Sequence, residues 1–147
     1  MTDEQTIANL DPDFAEKVKA LKLKLLELTG YEWFVAQGRR TIADQNALYA
    51  HGRNDDQPIV TKAKGGQSAH NFGLAVDMVP LSMEGQSRLT MDWDAKDSMF
   101  KQYADIAQSM GFVAGYYFRS IHDPDHVEDS SWKQIQAEWL AGKINIA

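Results

Sequence analysis

Apolar positions along the chain recur with two periods, and the switches between those periods mark out helices and strands. Phe14, Val18, Leu21, Leu25 and Leu28 follow helical spacing. Asp11 and Pro12 supply an N-cap and a first-turn proline, and Gly30 supplies the stop. Tyr31 to Gln37 is aromatic and β-branched and predicts a strand that Gly38 breaks. Thr41 and Asp44 then resemble a capping pair for a second helix carrying Ile42, Gln45, Leu48 and Tyr49, ending near Gly52.

From Arg53 to Gly73 the pattern dissolves into Gly, Asn, Asp and Gln, with only Ile59-Val60-Thr61 strand-like. Loops of that length are often functional. Leu74 to Val79 predicts a buried strand, with Ala75, Asp77 and Val79 on one face and Leu74, Val76 and Met78 on the other. A third helix is predicted over Asp97 to Met110, with Phe100, Tyr103, Ala104, Ala107 and Met110 on one face and Gly111 as its stop. Phe112 to Phe118 predicts a strand interrupted by Gly115, and His126 to Glu128 a short one. Ser130 or Ser131 caps a last helix bearing Trp132, Ile135, Trp139 and Leu140. Strands clustered in the second half with helices flanking them predict an α+β fold. Residues 1–147 show no repeat or linker, so one domain is expected.

Composition narrows the chemistry. The hydrophobic fraction of 44% argues for a packed globule rather than disorder. A formal net charge of -6 without Lys/Arg runs argues against a nucleic-acid or polybasic membrane partner. No apolar run approaches the roughly 18 residues of a membrane span. Absence of cysteine excludes disulfides, thiolate zinc clusters and a cysteine nucleophile. The start, MTDEQTIANLDPDF, has neither a basic nor an apolar leader region, so synthesis as a cytoplasmic product without a signal peptide is expected.

Any transition-metal site must therefore be built from histidine and carboxylate. Asp77 interrupts an apolar strand, where an unpaired carboxylate is costly to bury. His70 precedes it by seven residues across a Gly-containing turn, and His126 lies in the loop Asp123-Pro124-Asp125-His126. Two imidazoles and one carboxylate suffice for a catalytic zinc site with an open fourth position. Asp123, three residues before His126, suits a general base, with Asp125 and Glu128 as competing carboxylates. Arg40, at a strand-to-helix turn, suits a substrate carboxylate or a developing oxyanion, whereas Arg39 reads as a surface pair. Ser68 suits either a substrate contact or loop fixation. His51 reads as a helix C-terminal dipole contact. His122 adjoins the base and has either an orienting role or none. Tyr116, Tyr117 and Phe118 read as core, with one ring available to the cleft.

Ser68-x-His70-x6-Asp77 followed by Asp123-x-x-His126 resembles the zinc peptidases that include D-Ala-D-Ala carboxypeptidases and phage L-alanyl-D-glutamate endopeptidases. The resemblance runs from about Gly38 to Glu128. Gly38-Arg39-Arg40-Thr41, Gln45, Leu48-Tyr49-Ala50, Gly52-Arg53, Ile59-Val60-Thr61, Gly65 to Asp77 and Gly111-Phe112 look like the endopeptidase branch. It implies a small α+β domain with a central antiparallel sheet and zinc in the cleft. It also implies His70, Asp77 and His126 as zinc ligands, Asp123 as acid/base, Arg40 as substrate or oxyanion contact and Ser68 as the serine beside the cleft. The implied partner is the peptidoglycan stem peptide, cut at L-Ala-D-Glu by a monomeric phage endolysin that reaches the wall after release from the host cytoplasm. A D-Ala-D-Ala carboxypeptidase and a non-catalytic zinc-containing wall-binding module are the alternatives. Many relatives carry Glu at the base position and Pro directly before the last ligand, where this chain has Asp123 and Asp125.

Overall fold

The computed structural model describes residues 1–84 and 88–146, with side chains described outside 83–90. A short helix α1 (Asp3–Ala8) precedes the long helix α2 (Pro12–Thr29). Strand β1 (Trp33–Gln37) leads to α3 (Ile42–Ala50), and a 3-10 turn at Ala69–Phe72 opens onto β2 (Ala75–Glu84). Then come β3 (Arg88–Met91), α4 (Asp97–Ser109), β4 (Val113–Ala114), a second 3-10 turn at Gly115–Tyr117, β5 (His126–Glu128) and α5 (Trp132–Leu140). All strand pairs are antiparallel, in the order β1-β2-β5-β4, and β3 pairs with β2. The α+β class with a central antiparallel sheet is the one expected.

Local chemistry explains most boundaries. The Asp11 side chain accepts from Phe14 N at 3.1 Å, Pro12 occupies the first turn, and Gly30 closes α2 at φ 74. Phe14, Val18, Leu21 and Leu25 of α2 meet Trp33, Val35, Val76, Met78 and Tyr103 in one core. Trp33 stacks on Tyr103 at 4.7 Å between ring centroids. Leu28, at the end of the apolar stripe, is 53% exposed instead. In α3 only Gln45 is buried, so Ile42, Leu48 and Tyr49 form no core face.

The observed elements depart from the expected ones in five places. Helix α1 is too short to carry a period, although Thr2 and Gln5 form a capping box. Strand β2 continues past Val79 through Pro80, whose carbonyl still accepts from Asp92 N at 2.9 Å. Ile59-Val60-Thr61 is not a strand: among the described residues no strand pairs with it, and Ile59 and Val60 are exposed. Beyond Gly115 the expected strand Phe112 to Phe118 winds into a 3-10 turn, and Leu140 of α5 is exposed rather than packed. Among the described residues no helix is long and apolar enough to cross a membrane.

Candidate metal centre and cleft

Sheet register assembles the centre. Asp77 of β2 pairs directly with His126 of β5, and on its other side with Gln37 of β1 after an irregularity between Val35 and Gln37. Residues opposed across an antiparallel ladder project to the same face. His70 arrives from the 3-10 turn, which Ser68 caps by accepting from His70 N at 3.3 Å. Buried Asn71 ties that turn down: its amide donates to the Arg40 carbonyl at 3.0 Å and accepts from Gly66 N at 3.0 Å. Arg40 N in turn donates to the His70 carbonyl at 2.9 Å.

Three ligand atoms converge. His70 Nε2 lies 3.4 Å from Asp77 Oδ1, His126 Nδ1 lies 3.3 Å from the same oxygen, and the two nitrogens are 3.2 Å apart. Donors each about 2.0–2.1 Å from one tetrahedral ion lie about 3.3 Å from one another, so this set fits a zinc-sized cation. The opposite ring nitrogens are engaged: His70 Nδ1 meets the Gly38 carbonyl at 2.8 Å, and His126 Nε2 meets Glu128 Oε1 at 2.7 Å. In neutral histidines those two nitrogens carry the protons, which turns lone pairs of Nε2 and Nδ1 toward Asp77. Asp77 Oδ1 accordingly is buried without a hydrogen-bond partner. Three electron-rich atoms facing each other need a positive charge between them.

Titration expresses the same need. Burial opposes ionisation of Asp77, yet the His70 and His126 imidazoles hold its carboxyl well below the usual range. Burial would lower His126, but contact with Asp77 and Glu128 outweighs it and raises the imidazole to about 10. In the metal-free protein a proton on His126 answers the requirement that a cation would meet. Asp125 moves opposite to Asp77: burial first, then the charges of Asp77 and Asp123, push its carboxyl up to about 8.

The centre opens onto a cleft of about 820 Å³. Arg40, Ser68, Asp123 and Asp125 line it, together with Trp93 and Phe118. Asp123 Oδ2 stands 3.7 Å from His126 Nδ1, and its side chain is partly open to the cleft. A Cβ at Gly115 would collide with the Asp123 carbonyl and meet His126 Cβ at 3.0 Å, so glycine there lets the Asp123–His126 loop close over the turn. The Asp125 carbonyl accepts from Met78 N at 2.8 Å and from the Tyr103 hydroxyl at 2.9 Å, which anchors the same loop to the core. Arg40 lies 3.9 Å from Asp77 Oδ2, and its guanidinium donates to Gln45 at 2.9 Å and Gln37 at 3.2 Å.

The remaining candidate residues fall outside this group. Glu128 has both oxygens engaged, one by His126 and one by the Trp132 indole at 2.6 Å, so it is not a free base. His51 pairs with Asp55 at 2.9 Å on the surface. His122 meets the Tyr116 carbonyl at 2.8 Å and is exposed. Arg39 donates to the Asn9 carbonyl at 2.8 Å rather than to a carboxylate. Of the aromatic run Phe118 reaches the cleft, while Tyr117 is 44% exposed rather than core. Gln45, Asn71 and Trp132 are supporting groups that stand along the chain as pattern residues only. A polar Gln45 in the helical phase of Ile42, Leu48 and Tyr49 is the available signal.

Known proteins share this fold. The profile of the VanY D-alanyl-D-alanine carboxypeptidase family matches residues 7–134. The peptidoglycan L-alanyl-D-glutamate endopeptidase CwlK of Bacillus subtilis is 30% identical over 131 residues, spanning 87% of this chain and 78% of CwlK. The crystal structure of the L-Ala D-Glu endopeptidase ChiX of Serratia marcescens superposes with a TM-score of 0.60 at 17% identity, over 90% of each chain. A mutant of the vancomycin-resistance D,D-pentapeptidase VanY from a VanB-type cassette, solved with Zn(II), superposes with a TM-score of 0.57 at 18% identity. That match covers 92% of this chain and 84% of that one. With the family profile spanning most of its length, the chain belongs to the VanY D-alanyl-D-alanine carboxypeptidase family and is a metallopeptidase.

Proposed function

We propose that the protein is a zinc-dependent peptidoglycan endopeptidase of the phage-endolysin kind, hydrolysing the L-Ala-D-Glu bond of the stem peptide. One observation carries the metal reading: Asp77 Oδ1 is unpartnered between two imidazole nitrogens at tetrahedral spacing. His70, Asp77 and His126 are the residues that hold the ion. Zinc there supplies Lewis-acid polarisation and a water of lowered pKa.

The chain's own residues supply the rest. Asp123 is the proton acceptor and later the donor to the leaving amine. Its neighbour Asp125, raised to about 8, keeps its proton at neutral pH and suits a donor rather than a base. Arg40, held by Gln45 and Gln37, offers a fixed guanidinium to a substrate carboxylate or oxyanion. Ser68 caps the turn beneath His70 and borders the cleft, so its role is loop fixation with a hydroxyl within reach of substrate.

The endopeptidase reading is supported by the 30% identity to CwlK. The family profile itself, named for D-alanyl-D-alanine carboxypeptidases, favours the second reading of terminal D-Ala removal. Mass spectrometry of digested muropeptides separates them. Release of the stem from L-Ala supports the first, and loss of terminal D-Ala supports the second. Lysis of permeabilised cells that stops with chelator and returns with zinc supports a lysis enzyme acting on the wall after release. Lysis that persists after verified metal removal overturns the zinc reading.

A further inference from the structure

We propose that Glu128, held by Trp132, is a positioning residue that fixes which nitrogen of His126 faces the metal centre and in what plane the ring lies. The inference rests on the metal reading above. Strand geometry puts Glu128 in place. It lies two residues after His126 on β5, so both side chains project to one face. It stands opposite Ala75 in the ladder, and that small neighbour leaves room for the carboxylate to lean toward the imidazole.

Both carboxylate oxygens are used. Oε1 accepts from His126 Nε2 at 2.7 Å, and Oε2 accepts from the Trp132 indole at 2.6 Å. A carboxylate gripped at one oxygen cannot swing freely at the other, so the indole converts Glu128 into a rigid acceptor. Such a bond fixes the tautomer, leaves Nδ1 bare toward Asp77 and raises its basicity as a ligand.

Trp132 is itself fixed. Its ring stacks on Phe72 at 6.2 Å with an interplanar angle of 25°, and Trp139 meets the same Phe72 edge-on at 5.9 Å. Phe72 belongs to the turn that carries His70. A single aromatic contact thus links the support of one histidine to the segment that delivers the other. Helix α5 has no fully buried residue, yet it also donates from Gln136 to the Gly66 carbonyl at 2.8 Å. Its first turn thus serves the centre as well as packing against the core.

The experiment measures zinc affinity by competition with a chromogenic chelator, on the intact chain and on Glu128→Ala, Glu128→Gln and Trp132→Phe. Supporting groups of this kind change metal affinity by about 10–100-fold, and Glu128→Ala should weaken zinc by that factor. Glu128→Gln keeps an oxygen for His126 but cannot also accept from Trp132, so its loss should be smaller. Trp132→Phe keeps an aromatic ring facing Phe72 but removes the indole N–H along with the fused ring's bulk, and should weaken zinc at least as much as Glu128→Gln. Ring nitrogen shifts of zinc-loaded protein should give one His126 tautomer in the parent and a mixture in Glu128→Ala. Should Glu128→Ala fail to fold, the other two variants carry the test. A parent that binds zinc tightly while all folded variants bind equally tightly overturns this inference alone. A parent that binds no zinc overturns the metal reading and this inference with it.

Discussion

Asp77 and His126 are direct partners in the β2–β5 ladder, so the spacing between two ligand atoms is set by backbone register rather than by loop conformation. Replacing Asp77 by Asn preserves shape and register but removes the anionic donor. Zinc binding stabilises whatever state holds it. The parent should therefore gain thermal stability on adding zinc, and Asp77→Asn should gain none. Differential scanning fluorimetry with and without zinc checks this; an undiminished zinc shift in the variant would remove Asp77 from the ligand set.

Asp123 and Asp125 make opposite predictions although they are two residues apart. Asp123→Asn should retain zinc while turnover falls by about 10²–10⁴, the usual worth of a positioned acid/base. Asp125→Asn keeps a hydrogen-bond donor where the raised carboxyl already holds its proton, and should stay within about tenfold of the parent. Turnover on purified muropeptides, paired with zinc content, tells the two apart. A severe loss in Asp125→Asn with full activity in Asp123→Asn reverses the roles.

Much of this was legible along the chain because it is local. The caps of α2, the limits of β5, and the anomaly of a carboxylate in an apolar strand are read from neighbouring residues. What was not legible depends on pairing. The length of β2 required knowing that Pro80 lies where its missing N–H is not needed. Ile59-Val60-Thr61 has strand propensity but no partner strand among the described residues, and propensity without a ladder leaves an exposed loop. Glu128 read as a competing base because sequence distance shows nearness to His126 but not which imidazole nitrogen it faces. Gln45 matched the helical pattern, whereas its function lies in contacts 5 and 18 residues away.

Gln45 is the anchor of Arg40 and of the cleft wall at once. Its Oε1 accepts from Arg40, and its amide donates to the Ala63 carbonyl at 2.8 Å. Gln45→Leu leaves part-buried partners unsatisfied and should destabilise the fold by about 1–3 kcal/mol. Activity should fall as well, and the effect should not add to that of Arg40→Ala, since both act through one guanidinium. Chemical denaturation and a double-mutant cycle on kcat/KM measure the two effects. Additive losses would mean that Gln45 acts independently of Arg40.

Proton and metal compete for one hole, which gives stability a definite pH sign. His126 is raised in the folded protein to about 10 against roughly 6.5 unfolded, so its contribution is complete below about 6.5 and is lost as pH rises toward 10. Asp125, raised to about 8 from roughly 3.9, acts in the same sense, because the folded state holds a proton the unfolded state has released. Asp77, held low, contributes above about 3.9 and loses its share only in stronger acid. In chelator the melting temperature should therefore fall between pH 6.5 and 9. Over the same interval the gain on adding zinc should grow, since binding must displace the His126 proton and does so more easily as pH rises. His126→Asn should flatten much of the first slope and abolish the second. A metal-free melting temperature that rises from pH 6.5 to 9 would contradict the lone-pair arrangement at Asp77 from which the metal reading is built.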